Sequence, residues 1–335
     1  MPTPAVADAP ARRAVTRGSP ISITHDPTAG AATRGSRARR RSLRLAVATS
    51  VVALSATLLP ATAATAAPAT VDRAAAVTQA MPGPDNTGVP AGTSLRVQRG
   101  NMVITTPGTV VSGLDIYGSV DVRARNVTIR NSIIRGDAAG SQDFLVRSAS
   151  DAASLTITDS ELVPTVQTPR INGLRGWNIN AARLDISKVI DPAHFWGTGN
   201  VQLRDSWIHD NLHYTNDPGW NGGPSHDDGI QIQGGSGYWI TGNRIEDANN
   251  AAIMVTQDQG VTANIMIRDN FLDGGACTVN LAQKSRGPFQ NIDIRDNVFG
   301  ANSVYNCQII RPAGGDITST NNTTVSGKTM RINTQ

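Results

Sequence analysis

The chain has 335 residues, 30 of them basic and 26 acidic, with two cysteines and 4% aromatic residues. Nine of the basic residues lie at or before Arg44, against only Asp8 and Asp26 among the acids, which leaves 21 basic and 24 acidic residues beyond that point. The bulk of the chain is therefore mildly acidic. It lacks the basic stripe of a nucleic-acid-binding protein, so no nucleic-acid partner is expected.

Residues 1–36 show no apolar periodicity. Residues 37–44, "RARRRSLR", form a basic region, "LAVATSVVALSATLL" an apolar one, and "PATAATAAPAT" offers several A-x-A sites. That order predicts a secretory signal cleaved near Ala66 or Ala67. The apolar run is shorter than the ~20 residues of a membrane span, so residues 1–67 are assigned to a disordered leader and signal peptide. The mature protein is expected outside the cell and off the membrane. Residues 68–98, rich in Ala, Pro, Gly and Thr, predict a linker and N-terminal cap. Cys277 and Cys307 predict one disulfide, with neither C-x-x-C nor His spacing for zinc.

From residue 99 to 335 a short motif recurs: apolar, any two, Ser or Asn, any one, apolar. It begins at Ile129, Ile157, Leu184, Leu203, Ile240, Ile267 and Ile294. The fourth position gives a ladder of Ser132, Ser160, Ser187, Ser206, Asn243, Asn270 and Asn297, with spacings of 28, 27, 19, 37, 27 and 27. A period of this size predicts a solenoid. Each period also carries a β-branched or aromatic run, such as "FLVRS" (144–148), "GIQIQ" (229–233) or "AAIMV" (251–255), which is strand chemistry. No helical periodicity competes, and the fixed period favours stacked coils over a β-sandwich. The fold class is therefore an all-β parallel β-helix of about nine coils, with Asn side chains bonding from coil to coil. Cys277 and Cys307 fall in matching strands of neighbouring coils.

The ladder motifs, "GVPAGTSL" at 88–95 and "HDDGIQIQGG" at 226–235 resemble the pectate-lyase-like superfamily of right-handed parallel β-helix proteins, and more narrowly the small secreted β-helix proteins of actinobacteria. The resemblance spans roughly residues 88–335. It implies a right-handed coil and a polysaccharide-active protein, in a superfamily of lyases, hydrolases, esterases, epimerases and non-catalytic adhesins. Two elements depart from its enzymes. "WIHDN" (207–211) and "RPAG" (311–314) stand where calcium-dependent pectate lyases have W-I-D-H and R-x-P-x-x-R. Of the polygalacturonase signatures, only Asp227-Asp228 beside His226 remain.

The 37-residue interval predicts a loop over 210–228, and loops on a rigid scaffold are where chemistry tends to sit. All four His beyond the leader lie between His194 and His226, and the five Trp cluster around them. Alternation in "DGIQIQ" turns Ile230 and Ile232 inward and Gln231 and Gln233 outward. Arg175, His194, Trp196, Thr278, Asn280 and, depending on register, Arg311 are expected beside them. Such a strip binds hydroxyls and carboxylates through amides and guanidinium groups, and sugar faces through Trp196, Trp220 and Tyr214. The chemistry is expected from His209, His226, Asp228 and Lys284, with Arg286 near the substrate. Asp210, Asp227 and Asp228 are the expected carboxylates for Ca²⁺, and no organic cofactor is expected. The preferred activity is lyase cleavage of a uronate-containing polysaccharide by a monomer. His226 or Lys284 would act as base and His209 as acid. Glycoside hydrolysis by paired acids, a non-catalytic glycan-binding surface, and a purely structural role for "HDDG" as a turn cap are the alternatives.

Overall fold

The computed structural model describes residues 81–328 and 330–335, all within the unit that begins at Pro68. The leader and signal assigned to residues 1–67, and the first part of the linker, lie outside the described residues. The strands assemble into three parallel sheets of ten, ten and nine strands, each sheet taking every third strand of the chain. That is a parallel β-solenoid of nine full coils and a partial tenth. The first sheet runs from Arg96–Arg99 to Thr323–Thr324, the second from Met102–Ile104 to Ile332–Thr334, and the third from Val110–Ser112 to Ile317–Thr320. The runs read as strands, from Phe144–Ser148 through Asn172–Gly176, Asp228–Ile232 and Ala251–Val255, all fall in the second sheet.

Inside, like residues stack. Val146, Leu174, Ala193, Ile230, Ile253 and Val279 form one row of the second sheet, each paired with the next and fully buried. Burial at roughly 25 cal/mol per Å² of apolar surface is the main force holding coil to coil. Tyr238 also lies inside, its hydroxyl donating to the Gly234 carbonyl, and burial raises its pKa.

The ladder sits at the corner between the third and first sheets. The Asn243 side chain donates to Asn270 Oδ1 at 3.0 Å, Asn270 to Asn297 at 2.9 Å, and Asn297 to Asn322 at 2.8 Å. Upstream, backbone amides donate to Ser132, Ser160 and Ser206 hydroxyls. One rung differs from the sequence reading. Leu184, not Ser187, stands between Ser160 and Ser206, and its amide donates to Ser206 Oγ at 3.1 Å. Ser187 lies three residues further on and pairs with His209. The motif misplaced this rung because an apolar side chain can fill it, the amide below still finding a hydroxyl.

The residue before each rung turns the corner in the left-handed region. Asn131, Asp159, Asp205, Gly242, Asp269, Asp296 and Asn321 all have φ between 47° and 68°. Asn, Asp and Gly tolerate that conformation best. Arg183 takes it too, at φ 51°, held by a two-point ion pair to Asp159 at 2.6 and 2.7 Å.

The first strand starts at Arg96, within the stretch read as linker and cap. Before it, residues 83–90 lie against the first sheet, with the Gly88 amide on the Arg183 carbonyl at 3.0 Å. The loop 210–228 leaves Trp207–His209 of the first sheet and re-enters at Asp228–Ile232 of the second. It is folded on itself. Asp217 caps a single 3₁₀ turn, Pro218–Trp220, and forms an antiparallel bridge with Gly223. His213 Nδ1 ties the loop to the buried carboxylate of Asp227 at 2.7 Å.

Candidate active site

One outward row of the second sheet reads Asp121, Arg147, Arg175, His194, Gln231, Met254 and Asn280, each aligned with its neighbour one coil away. The downstream partner of Asn280 is Ile310, so Arg311 is out of the row, and its guanidinium reaches the Ile317 carbonyl instead. A cavity of about 540 Å³ opens over the centre of this row, with His194, Gln231 and Gln233 on its floor. A second, of about 450 Å³, abuts it and shares Asp143 and Arg175. Together they follow the sheet along the solenoid axis as one groove.

At the N-terminal ends of these strands three coils share a pattern: "NGLR" from Asn172, "DPAH" from Asp191 and "DGIQ" from Asp228. Asp191 and Asp228 each precede by two residues the paired Ala193 and Ile230, and so sit side by side in neighbouring coils. Asp191 is 8% exposed and Asp228 0%, yet both line the central cavity. The Asp228 amide donates to Asp191 Oδ1 at 3.0 Å. Asn250 and Gln231 side chains donate to the Asp228 carboxyl at 2.8 and 3.2 Å. Burial pushes Asp191 up to about 7, against the Asp228 amide, which pulls it down, while the Asp227 charge adds to the rise. Burial and then the Asp191 charge push Asp228 well above the carboxylate range. Two buried carboxyls that repel each other keep a proton between them near neutral pH and titrate as a pair.

Beside them His194 is neutral. Burial, then the Arg175 guanidinium, lower it to about 4. Its Nε2 lies 3.0 Å from Gln233 Oε1, which also accepts from Gln259 at 2.6 Å. An oxygen accepts here, so Nε2 carries the hydrogen and Nδ1 is left as an acceptor. At the rim Trp220 and His226 stack with ring centroids 3.7 Å apart. On the far side Lys284 Nζ lies 3.6 Å from Asp258 Oδ1.

Of the residues expected from sequence, the cavity gathers Asp228, His226, Lys284, Arg175, His194, Trp220, Gln231 and Gln233. Trp196 lines the neighbouring cavity, with Arg175 5.1 Å above its ring. The others lie elsewhere. His209 is on the first sheet, stacked on Trp207 and bonded to Asp185 at 3.1 Å, with Asp210 beside it at 3.2 Å. It therefore does not meet His226 across one cavity. Tyr214 holds Ser225 within the loop, Asn280 accepts from Gln335, and Arg286 donates to the Gln257 carbonyl.

The three carboxylates expected for Ca²⁺ do not converge. Asp227 spends one oxygen on His213 and the other on Asn249, and Asp210 belongs to the first sheet's edge. Among the described residues, no three His, Cys, Asp or Glu side chains are grouped to hold a metal ion. Cys277 and Cys307 are bonded, at the strand ends that continue the Asp191–Asp228 line downstream.

Sequence reading missed Asp191. The repeated [Asn/Asp]-[Gly/Pro]-apolar-polar tetrapeptide over three coils is the signal that finds it, since its register matches that of Asp228. No protein-family model matches the chain, and no curated protein or solved structure matches it either.

Proposed function

We propose that this solenoid is a secreted polysaccharide depolymerase of the pectate-lyase-like kind, and that it cleaves glycosidic bonds by general acid–base catalysis at Asp191 and Asp228. The single observation that carries the reading is the pair of buried, mutually repelling carboxyls at the base of an elongated groove. Glycosidic hydrolysis needs one carboxyl to protonate the leaving oxygen and one carboxylate to take a proton from the attacking water. A pair that keeps one proton near neutral pH supplies both forms. Both carboxyls line the cavity, so the protonated member can serve the leaving oxygen and the ionised member the water. Neutral His194 offers Nδ1 as an acceptor for a sugar hydroxyl, and Gln231 adds an amide. The stacked Trp220–His226 pair offers a flat face for a pyranose ring. In the abutting cavity Arg147 and Arg175 are ion-paired to Asp121 and Asp143, so a uronate carboxylate would bind there as a second partner of those guanidinium groups.

The test is a screen of acidic and neutral polysaccharides with the purified full chain, following reducing ends and unsaturated-uronide absorbance in parallel. Reducing ends without the absorbance, abolished in Asp191→Asn, are the expected result. Absorbance rising with reducing ends replaces hydrolysis by β-elimination, with Lys284 or His226 as base. Glycan retention with no product from any substrate leaves a binding protein and removes the enzyme.

A further inference from the structure

A different face of the solenoid carries a second strip. On the third sheet the outward residues Thr128, Thr156, Asn180, Gln202 and Trp239 stand in one register row, one per coil. At ~4.8 Å per coil the row extends about 19 Å along the axis. Asn126, Asn178 and Asn200 flank it at the strand starts, all in the left-handed region, with Asn200 bonded to Asn178 at 3.2 Å. Between the two rows lies a shallow cavity of about 220 Å³, bounded on its downstream side by Gln202. No charged side chain lines it.

Two features set this strip apart from an ordinary solvated face. Asn180 Oδ1 is buried at the cavity and has no hydrogen-bond partner, which leaves an acceptor in want of a donor. An unmade buried hydrogen bond costs about 1–3 kcal/mol, and this amide can relieve it by turning its oxygen into the cavity towards a ligand donor. Next in the row, Trp239 is 41% exposed on a strand where Lys or Thr would be soluble. The far edge of its ring lies over Gly237, at 3.4 Å from where a Cβ would stand, so it reaches back along its own strand. The neighbouring outward row carries Arg130 and Arg204 beside this strip, and the strip's own row meets a charge two coils past Trp239, at Asp293. The absence of charge from Thr128 to Gln202 is therefore local to this strip.

We propose that this face is a binding site for an uncharged polysaccharide chain. The chain lies along the solenoid axis, its hydroxyls on the Thr, Asn and Gln side chains and one pyranose face on Trp239. Amides and hydroxyls match sugar hydroxyls in both donor and acceptor roles, and the indole packs against C–H surface. A neutral strip gives an acidic chain no counter-charge, which separates this site from the Arg-bearing groove of the second sheet. The proposal does not rest on catalysis in that groove.

The test is co-sedimentation of the full chain with microcrystalline cellulose and with chitin, beside affinity electrophoresis in a soluble neutral glucan and in polygalacturonate. The wild type is expected to be retained by at least one neutral glycan. Trp239→Ala should weaken that retention about tenfold or more, and Asn180→Leu measurably. Tyr305→Ala, an exposed aromatic that belongs to neither face, should leave it unchanged. Trp239 is on the surface, so the variant's unchanged thermal midpoint shows that any loss is of binding, not of fold. Equal retention of wild type and Trp239→Ala, no neutral glycan retained by the wild type, or loss on Tyr305→Ala alone would overturn the proposal. So would a wild-type dimer that Trp239→Ala dissociates, since the face would then belong to a second copy of the chain.

Discussion

Asp191 and His194 lie three residues apart and act on stability in opposite directions. The folded state holds the Asp191 proton up to about pH 7, whereas the unfolded chain releases it near 3.8. Stability from this group is therefore complete below about pH 4 and lost as pH rises to about 7. His194 is neutral in the fold down to about pH 4, and its ordinary value is 6.5. Its contribution is complete above 6.5 and lost as pH falls towards 4. Urea midpoints from pH 4 to 8 should show Asp191→Asn flattening the alkaline decline. That variant should also be more stable than wild type at pH 8, by roughly 1 kcal/mol or more, as is common when a strained active-site charge is removed. His194→Gln should flatten the acid limb. Equal slopes in wild type and variants would remove the buried charges from the explanation.

The ladder is the element that fixes register, because each Asn serves two coils. Asn270 Oδ1 accepts from the Asn243 amide and side chain, while its own Nδ2 donates to the Ile240 carbonyl and to Asn297. Asn270→Ala leaves several buried groups unpaired, at about 1–3 kcal/mol each. Its urea midpoint should fall by the equivalent of about 3 kcal/mol or more, and Ser132→Ala by less, because the hydroxyl there serves only one amide and one carbonyl. The disulfide joins residues 30 apart in sequence, and removing it should cost about 3–4 kcal/mol on loop-entropy grounds. A Cys277→Ser, Cys307→Ser double variant measured in urea checks that figure. The ladder and strand runs were legible in the sequence because each coil must repeat the same hydrogen bonds and the same inward side chains. Leu184 broke the pattern without breaking the coil, so a motif search stepped over it. The candidate site was less legible. His209 and His226 flank one loop in sequence, but the strands at the loop's two ends belong to different sheets, and only His226 reaches the groove. Asp191, the more exposed of the carboxyl pair, lies outside the 210–228 loop. Its position emerges only when register is counted across a 37-residue coil.

Across the whole molecule, each coil touches mainly its neighbours, so stability is a sum of coil and interface contributions. The central coils have two covered faces, while the terminal strands Arg96–Arg99 and Ile332–Thr334 have one and are largely exposed. Amide hydrogen exchange should be slowest around Gly199–Arg204 and Thr262–Arg268 and fastest at both ends. Uniform protection from end to end would mean that the solenoid opens only as a unit. The groove lies over those central coils, where the scaffold holds Asp191, Asp228 and His194 most rigidly. Its rigidity is what keeps two carboxyls together despite their repulsion. The shared proton is thus a property of the whole stack, and it is directly observable. Carboxyl ¹³C titration of the aspartates in the intact chain, compared with Asp191→Asn, should give a carboxyl that titrates near pH 7 in the wild type and is missing or moved in the variant. If every aspartate titrates below about pH 5, in the ordinary range of exposed carboxylates, the pair holds no proton at neutral pH and the acid–base role assigned to it fails.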